Sequence, residues 1–272
     1  MTLQAAPFAE RVHAAATAGF DSIGLTLEQY RDARRAGFDD AAMRDLLTEH
    51  GVRVAEVETR WDWAAGEADT QAAEEGELLF QVLDAFGCRR FNAMQFVPHP
   101  KDELVGRFAA LCRRAAARQV TVALEFMPFS ELRTLAQAWE VIAAAGEPNA
   151  GILLDSWHYH RSGGSPDLLT SIPADRIVSV QLNDALPEPD ADPRHEARHL
   201  RLLPGEGSIA LTDLLALLRD HGVRAPMSAE VWSDALEALP PATAASRVFE
   251  ATRRVLERAG WPSLTTTATT SA

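Results

Sequence analysis

Four short apolar runs from Thr121 onward each end in a side chain with a carbonyl or carboxylate oxygen. They are Thr121–Glu125, Gly151–Asp155, Ile177–Gln181 and Met227–Glu230. Each run is strand-like, and helix-periodic sequence separates each from the next. Strands that alternate with helices pair in parallel, and parallel pairing puts their C-terminal ends on one face. Glu125, Asp155, Gln181 and Glu230 are therefore expected to converge. Three carboxylates and one amide oxygen form a hard, oxygen-rich set suited to a divalent cation: Mn²⁺ first, with Mg²⁺ or Co²⁺ as alternatives.

The same rhythm runs through the first half. Phe8–Ala18 is helical and stops at Gly19, and a strand follows over 20–25. Asp39 is a candidate N-cap for a helix over 40–50 that Gly51 ends. A strand over 52–58 leads to a helix from Thr70 to Phe86, ended by Gly87. A strand over 90–96 and a helix over 102–118 complete this half. Helices over 134–145, 167–171, 211–221 and 243–259 fill the second half. Seven clear strands and eight helices result. An eighth strand must come from Met1–Ala6 to complete a single-domain (β/α)₈ TIM barrel over residues 1–262. No Gly-rich phosphate loop follows any strand, which disfavours a doubly wound sheet. The Thr/Ser/Ala-rich tail, Ser263–Ala272, is expected to be disordered. Ala185–Arg198 breaks the rhythm: it is Pro-rich and charged, and it follows the Gln181 run on the face where the acids gather, so it reads as a functional loop.

Charge narrows the partners. The 272-residue chain carries a formal net charge of -13. Such a field repels phosphate backbones and anionic membranes, so neither nucleic acid nor membrane is an expected partner. No apolar stretch reaches the roughly 18–20 residues that span a bilayer. No export signal is visible, and Cys88 and Cys112 lack metal-type spacing. Together these point to reduced thiols and a cytoplasmic location. Homo-oligomerisation is left open.

Several motifs carry a family resemblance: Leu124-Glu125-Phe126, Leu154-Asp155-Ser156-Trp157-His158, Val180-Gln181-Leu182-Asn183-Asp184, Arg198 to Gly207 with its Pro-Gly-Glu-Gly stretch, and Ala229-Glu230-Val231-Trp232. In this order the set resembles the xylose isomerase-like TIM-barrel superfamily, the sugar phosphate isomerase/epimerase group. The likeness extends over roughly residues 8–260. It implies one divalent metal held by Glu125, Asp155, Gln181 and Glu230. Gln at the third position, Asp-Ser-Trp-His and Pro-Gly-Glu-Gly also resemble bacterial 3-dehydroshikimate dehydratases. The segment Glu58 to Trp63 departs from the pattern expected of those enzymes.

The resemblance implies an isomerase or epimerase of carbohydrate metabolism acting on a sugar, sugar phosphate or keto-polyol. Glu125 and Glu230 would exchange the proton α to a carbonyl, and the ion would stabilise the enediolate. His158 is a further acid/base candidate. Arg201 would pair with a substrate carboxylate or phosphate, or else with Glu206 or a nearby acid; Arg60, Trp61 and His199 are the other substrate-contact candidates. Asn92, Gln95 and Trp63 are weaker ones, and Glu56 and Glu58 read as a polar network. Two alternatives stand beside this reading. One is a dehydratase-type lyase using the same metal site, and the other is a sugar- or protein-binding barrel without catalysis.

Overall fold

A computed structural model of the protein describes residues 2–65 and 69–261. Seven strands form one sheet: β1 (Ser22–Thr26), β2 (Arg53–Glu58), β3 (Arg90–Ala93), β4 (Thr121–Glu125), β5 (Ala150–Asp155), β6 (Ile177–Leu182) and β7 (Met227–Ala229). Every pairing is parallel, and the strands follow one another in sequence order around the sheet. The sheet is the wall of a TIM barrel. Its outer layer includes α1 (Phe8–Ala18), α3 (Asp40–Glu49), α4 (Thr70–Phe86), α5 (Lys101–Ala116), α6 (Leu135–Ala145), α8 (Pro166–Ser171), α10 (Leu211–His221) and α12 (Pro241–Arg258).

The middle strands are apolar on both faces because side chains cover both. Every residue of β5 is buried, and Val122, Leu124, Ile152, Leu154, Val180 and Leu182 have no exposed surface. Parallel strands under helices bury apolar surface inward and outward, so they read as continuous apolar runs without alternation. Helix limits follow local chemistry. The Asp39 side chain accepts the amide of Ala42 to start α3, and Gly19, Gly87, Gly146 and Gly222 end four helices in the left-handed conformation.

Four further helices break the simple alternation: α2 (Leu27–Arg35), α7 (Ser156–Arg161), α9 (Pro193–His199) and α11 (Asp234–Glu237). Three of them cap the face where the acids end. The segment from Ala185 to Arg198, expected as a loop, contains most of α9. Asp192 caps that helix, and Pro193 fills its first turn, where a missing amide costs nothing.

The expected first strand is not formed. Residues 2–6 hold no ladder with β7 or β1. Instead the Thr2 hydroxyl donates to the carbonyl of Ala229 (3.3 Å) and accepts the amide of Val231 (3.1 Å). The amides of Gln4 and Ala5 bond the Glu237 carboxylate, which turns the chain away from β7 and into α1. A cavity of about 450 Å³ remains between β1 and β7, lined by Ile23, Met227, Phe249 and Trp261 among others. Cys88 and Cys112 are buried and unbridged. Among the described residues no helix is long and apolar enough to cross a membrane. The tail from Ser263 lies outside the described residues.

Candidate metal and catalytic site

The C-terminal ends of β4 to β7 lie side by side, with Asp155 paired to Gln181 and Leu182 to Ala229 in the ladder. Glu125, Asp155 and Gln181 are therefore delivered by neighbouring strands, and Glu230 follows β7 directly. All four are buried at 5% exposure or less. Glu125, Asp155 and His158 each offer a ligand atom within 4.8 Å of the others. Asp155 serves two structures at once. Its Oδ1 accepts the amide of His158 (2.8 Å) and so caps α7, while Oδ2 accepts from Asn183 Nδ2 (2.6 Å) and Arg201 Nη1 (2.8 Å).

Asn183 and Ser156 hold this corner rigid. Ser156 Oγ donates to Asn183 Oδ1 (2.7 Å), and Asn183 Nδ2 also reaches the carbonyl of Glu230 (3.1 Å). The next residue, Asp184, accepts amides from Gly205 and Ile209 (2.9 Å each) and so pins the Pro-Gly-Glu-Gly stretch. A Cβ on Gly207 would lie 2.3 Å from the carbonyl of Ala185, so that turn admits no side chain.

Arg201, expected to meet a substrate anion or else to pair with Glu206 or a nearby acid, pairs with nearby acids inside the site, Asp155 and Glu230 rather than Glu206. It is 4% exposed. Nη1 donates to Asp155 and to Glu230 Oε2 (3.3 Å), Nε to the carbonyl of Ala197 (2.8 Å), and Nη2 to His158 Nε2 (3.2 Å). That last bond makes Nε2 an acceptor and puts the ring proton on Nδ1, which has no partner. Burial first, and then Arg201, push His158 down to about 3, against the pull of Asp155. The imidazole is thus neutral, and its 3.6 Å approach to Glu125 is a dipolar contact rather than an ion pair.

The carboxylates are crowded. Burial, followed by the fields of Glu230, Glu58 and Asp155, holds Glu125 well above the usual carboxylate range. Glu230 is raised, chiefly by burial. Burial and Glu230 push Glu58 to about 8. Burial also opposes ionisation of Asp155, but Arg201, His158 and the hydrogen bonds outweigh it and hold its carboxyl below the usual range. Gln181 Nε2 donates to Glu56 Oε1 (3.3 Å), which leaves Gln181 Oε1 buried without a partner. An orphaned amide oxygen beside acids that repel one another suits a divalent cation, which would relieve both costs.

A small pocket of about 40 Å³ opens above these groups. Its walls include Glu58, Arg60, Met94, Phe96, Phe129, Arg198 and Trp232. Sequence reasoning placed Arg60 here but overlooked Arg198, Phe96 and Phe129, and it read Glu58 as structural. The other contact candidates lie elsewhere. Trp61 packs on Phe91 (6.3 Å between ring centres) and against Gly76, away from the pocket. His199 is half exposed, bonds Asp234 (2.9 Å) and stacks on His195. Trp63 is core, donating to the carbonyl of Met94 (3.0 Å). Gln95 donates to Asp62 (2.6 Å), and Asn92 is buried with neither amide atom partnered.

A 3-dehydroshikimate dehydratase of Pseudomonas putida is 26% identical over 241 residues, covering 85% of this chain but only 37% of the dehydratase. An inosose isomerase of Halalkalibacterium halodurans is 30% identical over 134 residues, covering 48% of this chain and 46% of the isomerase. The chain thus spans well under two thirds of the dehydratase's length. Among solved structures, the IOLI protein with a bound zinc atom superposes with a TM-score of 0.85 at 19% identity, over 97% of each chain, a likeness of fold. The sequence pattern described as Xylose isomerase-like TIM barrel matches residues 12–255, and the chain belongs to that family.

Proposed function

We propose that the protein is a divalent-metal-dependent isomerase or epimerase of a polyhydroxylated ketone, working by removal and return of the proton α to the carbonyl. The observation that carries this reading is the meeting of Glu125, Asp155 and His158 within 4.8 Å, with Glu230 tied to Asp155 through Arg201 and Gln181, the ladder neighbour of Asp155, offering a buried unpartnered oxygen. Glu125, Asp155, Gln181 and Glu230 would hold the ion, with the neutral His158 ring as a neighbouring donor. When bound, the ion would supply a Lewis acid that polarises the substrate carbonyl. The zinc atom bound by the IOLI protein, which shares the fold, supports a divalent metal in this chain.

The chain's own groups do the rest. Glu125 and Glu230 come from β4 and the end of β7, with two strands between them, so they approach the substrate carbon from different directions. One removes the α-proton and the other returns it. Arg201 stays protonated between Asp155 and Glu230; it holds Asp155 ionised and partly offsets the burial that raises Glu230. Asn183 fixes the orientation of Asp155. Phe96, Phe129 and Trp232 shield the site from bulk water.

A second reading is a lyase that expels a β-hydroxyl after the same proton abstraction. The 241-residue match to a dehydratase favours it. One experiment separates the two. The metal-loaded protein is incubated with inosose and with 3-dehydroshikimate in deuterated buffer and followed by NMR and ultraviolet absorbance. Deuterium at the α-carbon with no loss of water supports the isomerase, and a rising conjugated absorbance supports the lyase. Glu125→Gln and Glu230→Gln should each abolish turnover; near-normal activity in either would overturn the acid/base assignment.

A further inference from the structure

Helix α9 is a separate element laid over the pocket, and it brings cations to an acidic protein. Its underside is locked. Glu196 is 1% exposed; it accepts from Trp157 Nε1 (3.0 Å), from Arg161 Nη2 (2.5 Å) and from the amide of Asp190 (3.0 Å). Trp157 and Arg161 belong to α7, which Asp155 caps, so α9 is tied to the same corner as the acids.

The exposed side of α9 carries Arg194 and Arg198. Arg198 lines the pocket directly. The Arg194 guanidinium lies 5.8 Å from the Phe129 ring and donates to the Phe129 carbonyl (3.2 Å). From the opposite wall Arg60 lies over Trp232 at 5.4 Å. The three are close enough to oppose one another: burial first, then Arg60 and Arg194, lower the Arg198 pKa. Among the described residues neither Arg60 nor Arg198 forms an ion pair. The acid whose field reaches Arg198 is Asp192, whose carboxylate also accepts the amide of Arg194 at the start of α9. Three like charges gathered at a pocket mouth cost free energy that an incoming anion would recover.

We propose that Arg60, Arg194 and Arg198 are a specificity rim, and that the substrate carries a carboxylate or phosphate remote from its carbonyl. This rests on the enolising reading above for where the carbonyl sits. The buried acids grip the ketone end, and the arginine rim takes the anionic end. Substrate entry moves the long, exposed arginine side chains and Phe129, not the locked corner beneath them. A neutral sugar or inositol ketone leaves the rim unsatisfied and binds weakly.

The test is calorimetric titration of Mn²⁺-loaded protein with three probes that cannot enolise: quinate, a ring polyol carboxylate; myo-inositol 1-phosphate; and myo-inositol. The proposal expects one anionic probe to bind roughly ten- to a hundred-fold tighter than myo-inositol, with the advantage shrinking at high salt. Whichever anion wins identifies the group recognised. Arg194→Gln/Arg198→Gln and Arg60→Gln should each cut the anion's advantage about ten-fold or more, and as exposed residues they should leave the fold intact. Equal binding of all three probes, no binding by any, or an advantage that survives these changes would overturn the proposal. Binding is read without turnover, so failure of the enolising chemistry would show separately in the deuterium experiment.

Discussion

Replacing Arg201 with Met puts the electrostatics of the site to a direct test. The side chain is 4% exposed and bridges Asp155 and Glu230 at 2.8 and 3.3 Å. Met keeps much of the volume but removes the charge, leaving two buried carboxylates next to Glu125 and Glu58 without their counter-ion. Breaking a buried pair on one side costs about 3–5 kcal/mol. The bond to the Ala197 carbonyl, 2.8 Å long, adds about 1 kcal/mol. With about 2–4 °C of midpoint per kcal/mol for a chain near this size, Arg201→Met should melt at least about 8 °C below the parent in metal-free buffer at pH 7.5. The sign with pH follows from Asp155. Its carboxyl is held below the usual range, so the stability it contributes is present above the unfolded pKa and lost as pH falls through the folded one. The gap between Arg201→Met and parent should therefore persist down to about pH 4 and narrow only below it, at about pH 3. Saturating Mn²⁺ should also narrow it, because the ion takes over the neutralising charge. Differential scanning calorimetry at pH 7.5 and at about pH 3, with and without Mn²⁺, reads all of this. A metal-free shift at pH 7.5 below about 1 kcal/mol would refute the reasoning, as would the same shift at both pH values.

Two other predictions concern groups around that corner. Glu58 is raised from 4.5 to about 8, chiefly by burial, so its contribution is present below pH 4.5 and is lost as pH rises through about 8. Urea midpoints of the metal-free protein should fall across that window, and Glu58→Gln should flatten the slope; an unchanged slope contradicts the assignment. Asn183→Ala removes the amide that orients Asp155 and should weaken Mn²⁺ affinity about 10- to 100-fold by calorimetric titration, with native-like circular dichroism. Unchanged affinity would mean that Asn183 does not position the ligand.

The strand ends were legible because burial on both faces turns β4, β5 and β6 into largely apolar runs, broken in β6 only by Ser179, and the polar residue near the end of each run stands out. The Asp-Ser-Trp-His run was readable as a strand end but not as a helix start; Asp155 does both. Helix α9 hid inside a Pro-rich, charged segment, although Asp192-Pro193 is a sound helix-start signal. Arg201 was not legible, since nothing local distinguishes a guanidinium buried between two acids from one awaiting a ligand. Trp61 misled in the opposite sense: an aromatic after a strand suits a pocket mouth, but a gap at Gly76 on α4 accepted it instead. The missing first strand reflects competition. Glu237 captures the amides of Gln4 and Ala5, and the chain turns into α1 before a ladder with β7 forms.

A divalent ion shared by the ends of β4 to β7 is what the account of function depends on. Metal-stripped protein titrated with Mn²⁺, with bound metal counted by mass spectrometry after gel filtration, should take up one ion per chain, and Asp155→Asn should lose it. A parent protein that retains no ion, or an Asp155→Asn variant that binds as tightly as the parent, would contradict the account.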